Sequence, residues 1–327
     1  MGGVDVVTSL LEGPRARNAF VIRTQMAWPW ALRIEDRAAL TVIVILDGGG
    51  RLEHPSLHEP ADLQTGDLAL VRGPEPYVIG DGEGSSPRIR ILPGNRPVTM
   101  TGEEIGQSLN LGVRTWGAPD NGVVTTRMLT GIYEDVGEAS HRLLDAIGTV
   151  VIRRRAARAS SYVELLAMEA LSDEPGQSAV LDRLLDLVLI DTVRDHFATH
   201  PERAPGWYSA LADDLVGTAL RAIHADPAAP WSVAGLAARV GLSRAAFSRR
   251  FRDSVGESPM AYVKRWRLTL AADHLADPDL SVGAITTLVG YSSPFTFSAA
   301  FKARFGMSPT DYRAAHFRRE TVQPPRD

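Results

Sequence analysis

The sequence of 327 residues contains no cysteine. That excludes a disulfide framework, a thiolate metal site, a cysteine nucleophile and a thiol redox sensor. Long apolar runs are missing too: no stretch reaches the ~18 residues a membrane-crossing helix needs. The N-terminus, MGGVDVVTSLLEGPRARN, has no charged region leading into an apolar one with a small-residue cleavage site. The chain is therefore expected to stay in the cytoplasm, with no membrane partner. Positive charge is in overall deficit, but the deficit is local. Residues 1–206 carry 20 Lys+Arg against 28 Asp+Glu, whereas residues 207–327 carry 15 against 11, so the two parts stand at −8 and +4. A basic C-terminal third beside an acidic remainder points weakly to a polyanionic partner.

The length suggests two domains, each with its own core. From Ala39 to about Met128 the chain reads as short strands between turn clusters. Leu40–Leu46 is β-branched and stops at Asp47-Gly48-Gly49-Gly50, Asp67–Val71 follows a Thr65-Gly66 turn, and Tyr77–Ile79, Arg88–Leu92 and Val123–Leu129 continue the pattern. Such spacing predicts a barrel or sandwich. After Gly137 the period becomes helical: Leu143, Leu144, Ile147 and Val151 fit one face. The strongest stripe, Leu181, Leu184, Leu185, Val188, Leu189 and Val193 within 180–197, fits either a helix packed on its own domain or a dimer seam. Residues 199–206 hold two prolines and a glycine without periodicity and read as a linker.

Past the linker the chain repeats itself. Ser232-Val233, Leu236 and Val240-Gly241 match Ser281-Val282, Ile285 and Val289-Gly290 at an offset of 49 residues. Phe247, Phe251, Gly256, Ser258-Pro259 and Tyr262 match Phe297, Phe301, Gly306, Ser308-Pro309 and Tyr312 at an offset of 50, as a one-residue insertion in the turn requires. Each copy has the grammar of a helix-turn-helix. Ser232 and Ser281 stand at N-caps, Gly241 and Gly290 end the first helix in a left-handed conformation, Ser243 and Ser293 cap the second helix, and Pro294 takes its first position.

At about 100° per residue, Phe247 and Phe251 share one side of the second helix, while Ala245, Ser248, Arg249 and Arg252 share the other. The aromatic side would anchor the helix and the polar side would face a major groove, where an arginine can donate to both O6 and N7 of guanine. Arg249 is the candidate for that base contact; Arg244 and Arg252, near the helix ends, suit phosphates. The corresponding arc of the second copy carries Phe295, Ser298, Ala299 and Lys302, with Arg304 nearby. Thymine-methyl contact, and phosphate contact through Lys302 and Arg304, are expected there in place of direct guanine reading. With Ser243 and Ser293 at the helix starts, these residues make up the expected DNA-contacting set.

The motifs GLSRAAFSRRF (241–251), GESPMAYVKRWRLTLAADHL (256–275) and VGYSSPFTFSAAFKARFGMSP (289–309) resemble the AraC/XylS family of transcription regulators. The resemblance implies two helix-turn-helix units joined by a long helix, here Pro259 to Leu275, with recognition helices in successive major grooves of double-stranded DNA. It also implies transcription activation, contact with RNA polymerase and a homodimer. The family pattern has arginine where this chain has Ala299, which sets the second unit apart.

Upstream, LQTGDLALVRGPEPYVI (63–79) is similar to a cupin motif in which a glycine-aspartate turn leads into barrel strands. The implied fold is α+β: a cupin-like ligand-sensing domain over 1–135, a helical dimerisation segment over 136–198, the linker 199–206, an all-α double helix-turn-helix domain over 207–319 and a tail over 320–327. Enzymatic cupins bind metal through histidines. Here Tyr77 occupies the expected histidine position, and upstream only His54 and His58 stand near Glu53 and Glu59, beside Pro55 and Pro60, which suggest a surface turn. No metal, no other cofactor and no catalytic residue is expected. For an unknown small-molecule effector at the barrel mouth the candidates are Trp28, Trp30, Arg72 and Tyr77. Two rivals remain open at this point: a metal-dependent cupin enzyme with a DNA-binding tail, and a regulator whose barrel serves only dimerisation.

Overall fold

The β-branched run after Ala39 becomes β3 (Leu40–Asp47), and the first compact unit is built around it. The structure, a computed structural model, describes residues 19–321 apart from 83, 113, 119–122, 135–136, 156–160 and 173. Among these residues, one unit comprises the chain before 137 together with Ile147–Thr199; the other comprises Gly137–Ala146 and the chain from His200. No described helix is long and apolar enough to cross a membrane.

In the first unit β1 (Ala19–Ala27), β3, β6 (Leu68–Arg72), β10 (Asn110–Gly112), β11 (Thr115–Ala118), β12 (Val124–Tyr133) and β13 (Val150–Arg153) form one mixed sheet in the order β10-β11-β1-β12-β3-β6-β13. The second sheet, β5-β4-β7-β2-β8-β9, is made by β2 (Ala31–Ile34), β4 (Gly49–Glu53), β5 (Ala61–Gln64), β7 (Tyr77–Gly80), β8 (Ile89–Leu92) and β9 (Arg96–Thr99). This is the cupin-like arrangement expected. Ile43 and Ile45 of β3 join Leu32, Ile79 and Met128 in the main core of this unit. Alternation sends Val42 and Val44 to the opposite face, yet they are buried as well.

A helix explains that second burial. α1 (Glu138–Ile147), α2 (Ser161–Glu169) and α3 (Gln177–Thr199) follow the strands, and α3 lays Leu181, Leu185, Val188, Leu189 and Val193 into its own unit, all buried. Gly131, the β12 partner of Val42, lies so close to Leu185 that an added Cβ would come within 2.4 Å of it. These five positions of the apolar stripe are thus packed within their own unit. Within the helical segment expected over 136–198, the placing of Val151 on a helix face needs correction. Val150-Val151-Ile152 are β-branched and pair with Val71, Leu70 and Ala69 of β6 as β13, so Val151 lies in a strand and not on a helix face with Ile147.

The glycine-aspartate turn has a definite task. Buried Asp67 accepts from the Gln64 N–H (3.1 Å), the Arg155 N–H (2.9 Å) and Arg154 Nη1 (2.7 Å), which locks the β5–β6 turn to the chain leaving β13. Burial pushes this carboxyl up, but those donors outweigh it and hold it below the usual carboxylate range.

The second unit is helical after a short turn at Pro201–Arg203 and another at Gly206–Ser209, so the segment expected as linker is partly ordered into turns. It contains α4 (Asp214–Ala225), α5 (Val233–Arg239), α6 (Arg244–Val255), α7 (Pro259–Leu275), α8 (Val282–Leu288), α9 (Pro294–Phe305) and α10 (Pro309–Thr321). Of the expected tail, residues 322–327 lie outside the described residues.

Candidate nucleic-acid interface

The predicted caps close as bonds. Ser232 Oγ accepts from the Gly235 N–H (3.0 Å), Ser243 Oγ from Ala246 (3.2 Å), Ser281 Oγ from Ala284 (3.0 Å) and Ser293 Oγ from Phe295 (3.2 Å). Each satisfies a donor that the first helical turn leaves free. The chain then reverses at Gly241 (φ +68°) and Gly290 (φ +79°), a region costly for other residues. At Gly290 space is lacking as well, since a Cβ would lie 2.7 Å from Ala228 Cα.

Both recognition helices are anchored alike. Phe247 and Phe251 are fully buried with ring centroids 5.6 Å apart, and Phe251 meets Tyr262 of α7 edge-on at 5.8 Å. In the second copy Phe297 and Phe301 are also 5.6 Å apart, and Phe301 meets Tyr312 at 5.4 Å. Each such ring buried contributes about 1.5–3 kcal/mol, enough to fix the roll of a helix and thereby its outer face.

On that outer face of α6, Ser243, Arg244, Ala245, Arg249 and Arg252 are exposed and Ser248 is half-buried. The three arginine side chains make no hydrogen bond or ion pair among the described residues. The neighbouring Arg250 differs. It donates to Asp213 Oδ2 from Nε (3.1 Å) and Nη2 (2.7 Å), while Asp213 also caps α4 by accepting from the Leu215 and Val216 N–H groups. Led by the Arg250 guanidinium, these donors hold the Asp213 carboxyl below the usual carboxylate range. Of two adjacent arginines, then, one fastens the helix and the other is presented.

The outer face of α9 carries no guanidinium along its middle. Phe295 is 87% exposed, Ala299 and Lys302 are exposed, and Ser293 and Ser298 are half-buried. Arg304 lies 3.5 Å from Glu138 of α1 and stacks on the Phe305 ring. It is therefore engaged within its own unit, unlike Lys302.

One functional residue escaped the sequence reading. Arg267, on the joining helix α7, donates from Nε to Pro227 O (2.7 Å), from Nη2 to Ala229 O (2.7 Å) and from Nη1 to Gly290 O (2.9 Å). It ties the loop leading into the first helix-turn-helix to the turn of the second. An arginine inside WRLTLAADHL, between residues that pack inward, was the available signal.

In the first unit a cavity partly open to solvent lies between the two sheets. Of the four expected ligand contacts only Tyr77 lines it. Trp28 is 59% exposed, Trp30 is buried in the core with Ile45 and Leu52, and Arg72 is half-buried at the end of β6. Trp116 and Asp36, not anticipated, are in the wall. His54 is buried, and its Nδ1 accepts from the Ser56 N–H at 3.0 Å, whereas Glu53, His58 and Glu59 are exposed. Among the described residues no three acidic or histidine side chains gather into a set that could hold a metal.

Comparison with known proteins agrees with this division. The family described as Cupin matches residues 5–198, and that described as Helix-turn-helix domain matches residues 236–315. The chain is similar to a putative AraC-like transcription regulator of Streptomyces lividans, 30% identical over 288 residues that span 87% of this chain and 90% of the relative. It is similar to the HTH-type transcriptional regulator AlkR of Acinetobacter baylyi, 39% identical over 148 residues, 45% of this chain and 48% of that one. Among solved structures, an AraC-type DNA-binding domain protein from Chromobacterium violaceum is 28% identical with a TM-score of 0.31, covering 33% of this chain and 96% of its own.

Proposed function

Because the chain belongs to the AraC-like family of DNA-binding transcription regulators and carries a cupin domain, we propose that it is a ligand-responsive activator that works as a homodimer in the cytoplasm and has no catalytic role of its own. The observation that carries the DNA-reading part is the contrast between Arg250, held by Asp213, and Arg249, exposed and free of partners among the described residues. In this reading Arg249 donates to guanine, with Ala245 and Ser248 beside it, while Ser243, Arg244 and Arg252 meet backbone phosphates. From the second helix-turn-helix Phe295, Ser298 and Ala299 give apolar and van der Waals contact, Ser293 and Lys302 face phosphates, and Arg304 does so on leaving Glu138.

The effector binds in the cavity between the sheets and acts through unequal affinity for two states of the protein. RNA polymerase is the partner that the family implies. Tyr162, Leu165 and Met168, exposed at every third position of α2, form the face we assign to a second copy. Footprinting of the full-length protein across genomic DNA tests the proposal: discrete protected sites upstream of genes, with transcription raised there in the presence of polymerase, support it. Uniform, sequence-independent protection, or stoichiometric iron, manganese or zinc in the purified protein, counts against it and toward the enzyme reading.

A further inference from the structure

Among the described residues the cavity of the first unit has an acidic wall residue and no basic one. Its wall is apolar where Leu32, Ile43, Ile91 and Met128 meet, and set into it are Asp36, Tyr77 and Trp116. One oxygen of Asp36 accepts from the Ala38 N–H at 3.0 Å. Among the described residues no arginine, lysine or histidine lines the space, and the neighbouring Arg37 is exposed. The charged group whose field reaches Asp36 is Glu134, another acid, and burial together with Glu134 pushes the Asp36 carboxyl above the usual range. The Tyr77 hydroxyl is pushed up as well, by burial first, and bonds to Thr41. A carboxyl in an apolar wall without a counter-cation is unfavourable to folding. A ligand bearing a positive charge would remove that penalty on arrival.

The two rings strengthen the same preference. Tyr77 and Trp116 line the space, aromatic rings attract organic cations to their faces when water is excluded, and the apolar part of the wall suits a hydrocarbon body. An anionic ligand would meet the charge of Asp36.

We infer that the cavity takes an organic cation: an amine, bound as its ammonium ion against Asp36, on an apolar body held between Tyr77 and Trp116. The inference rests on reading the first unit as an effector domain, and the experiment separates the two. The full-length protein is titrated calorimetrically near neutral pH with cyclohexylmethylammonium, with its neutral isostere cyclohexylmethanol and with cyclohexanecarboxylate, and DNA binding is followed in parallel. The expected result is that the ammonium ion binds at least about tenfold more tightly than the alcohol, the tenfold being about 1.4 kcal/mol, that the carboxylate binds weakest, and that D36N erases the preference for the ammonium ion while still binding the alcohol. Retained alcohol binding shows that the variant is folded; the comparison of the three probes on the parent protein needs no variant. Equal binding of ammonium ion and alcohol, tighter binding of the carboxylate, or no binding of any of the three overturns the inference. If the ammonium ion binds as expected and DNA binding does not respond, the cation site stands and the effector reading falls. If the alcohol or carboxylate is preferred and DNA binding responds, the effector reading stands and the cation inference falls.

Discussion

Arg267 Nη1 donates to the backbone carbonyl of Gly290 at 2.9 Å, and through this bond the joining helix α7 holds the turn of the second helix-turn-helix. The same guanidinium reaches Pro227 and Ala229 ahead of the first helix-turn-helix. Since neither copy can reorient without breaking one of these bonds, the pair of recognition helices has a fixed spacing and angle. Arg267→Lys keeps the charge but can satisfy only part of this set. Leaving these half-buried carbonyls unpaired is expected to lower stability by about 1 kcal/mol. On DNA the variant should tolerate changes in the distance between the two halves of the site that the parent rejects. Denaturant unfolding measures the first effect and spacer-variant duplexes the second; an unchanged spacing requirement would remove Arg267 from this role.

The adjacent pair Arg249 and Arg250 separates recognition from architecture. Arg249→Ala is expected to weaken specific binding by about 1–3 kcal/mol and to relax preference at one base pair, with folding unaffected. Arg250→Ala removes the bond to Asp213 and should loosen the packing of α6 on α4 while leaving base preference as it was. Binding to a panel of single-base-substituted duplexes, set beside melting curves, distinguishes the two. Base preference that follows Arg250 would reverse the assignment.

The second unit was readable in advance because its signals are local. A serine cap reaches two or three residues along the chain, a turn glycine acts in place, and two phenylalanines four apart share a helix face, so the repeat at 49–50 residues displayed each of them twice. In the first unit the deciding contacts join distant segments. Whether Leu185 belonged to a dimer seam depended on Gly131, more than 50 residues earlier, leaving room for it, and Val151 became a strand residue because Leu70 on β6 was there to pair with. The cavity shows the same limit. Tyr77 was recognised from its place in a motif, but Trp116 and Asp36 reach the wall from β11 and from the loop after β2, and no spacing rule links them.

Phe295, 87% exposed at the start of α9, should matter only on DNA. Phe295→Ala is expected to leave the unfolding free energy of the free protein within about 0.5 kcal/mol of the parent, as surface changes usually do. It should weaken binding to sites that carry thymine opposite α9 and have little effect where thymine is replaced by uracil, which lacks the methyl group. Ala299→Arg, by contrast, should create a preference for guanine in that half of the site. Equal loss on thymine and uracil duplexes would rule out the methyl contact.

The exposed face of α2 bears on assembly. Leu165 is 47% and Met168 68% exposed, while Leu166 between them is buried at 1%. Replacing Leu165 and Met168 together by glutamate places charge on the outer face without touching the core. If a second copy covers this face, the double variant should sediment as a monomer with an unaltered far-ultraviolet spectrum, and its affinity for a two-fold repeated site should fall more than its affinity for one half. A double variant that remains dimeric would move the interface elsewhere.

Asp36 predicts a pH dependence of stability whose sign follows from its surroundings. Burial, with Glu134 adding to it, raises its carboxyl above the ordinary value of 3.8 in the folded state. Below 3.8 the group is protonated folded and unfolded alike, so it costs nothing there. As pH rises from that point the unfolded chain releases the proton first, and folding is penalised increasingly until the folded-state value is passed; above it the penalty is complete. Asparagine is neutral throughout and keeps an oxygen for the Ala38 N–H. D36N should therefore melt higher than the parent near neutral pH, and the difference should shrink as the solution is acidified through the raised range, with the groups that share this neighbourhood, Tyr77, Glu134 and Arg37, unchanged between the two proteins. A variant that melts lower than the parent at every pH would mean that Asp36 serves the fold through its charge, and the unpaired acid would no longer mark a place kept for a ligand.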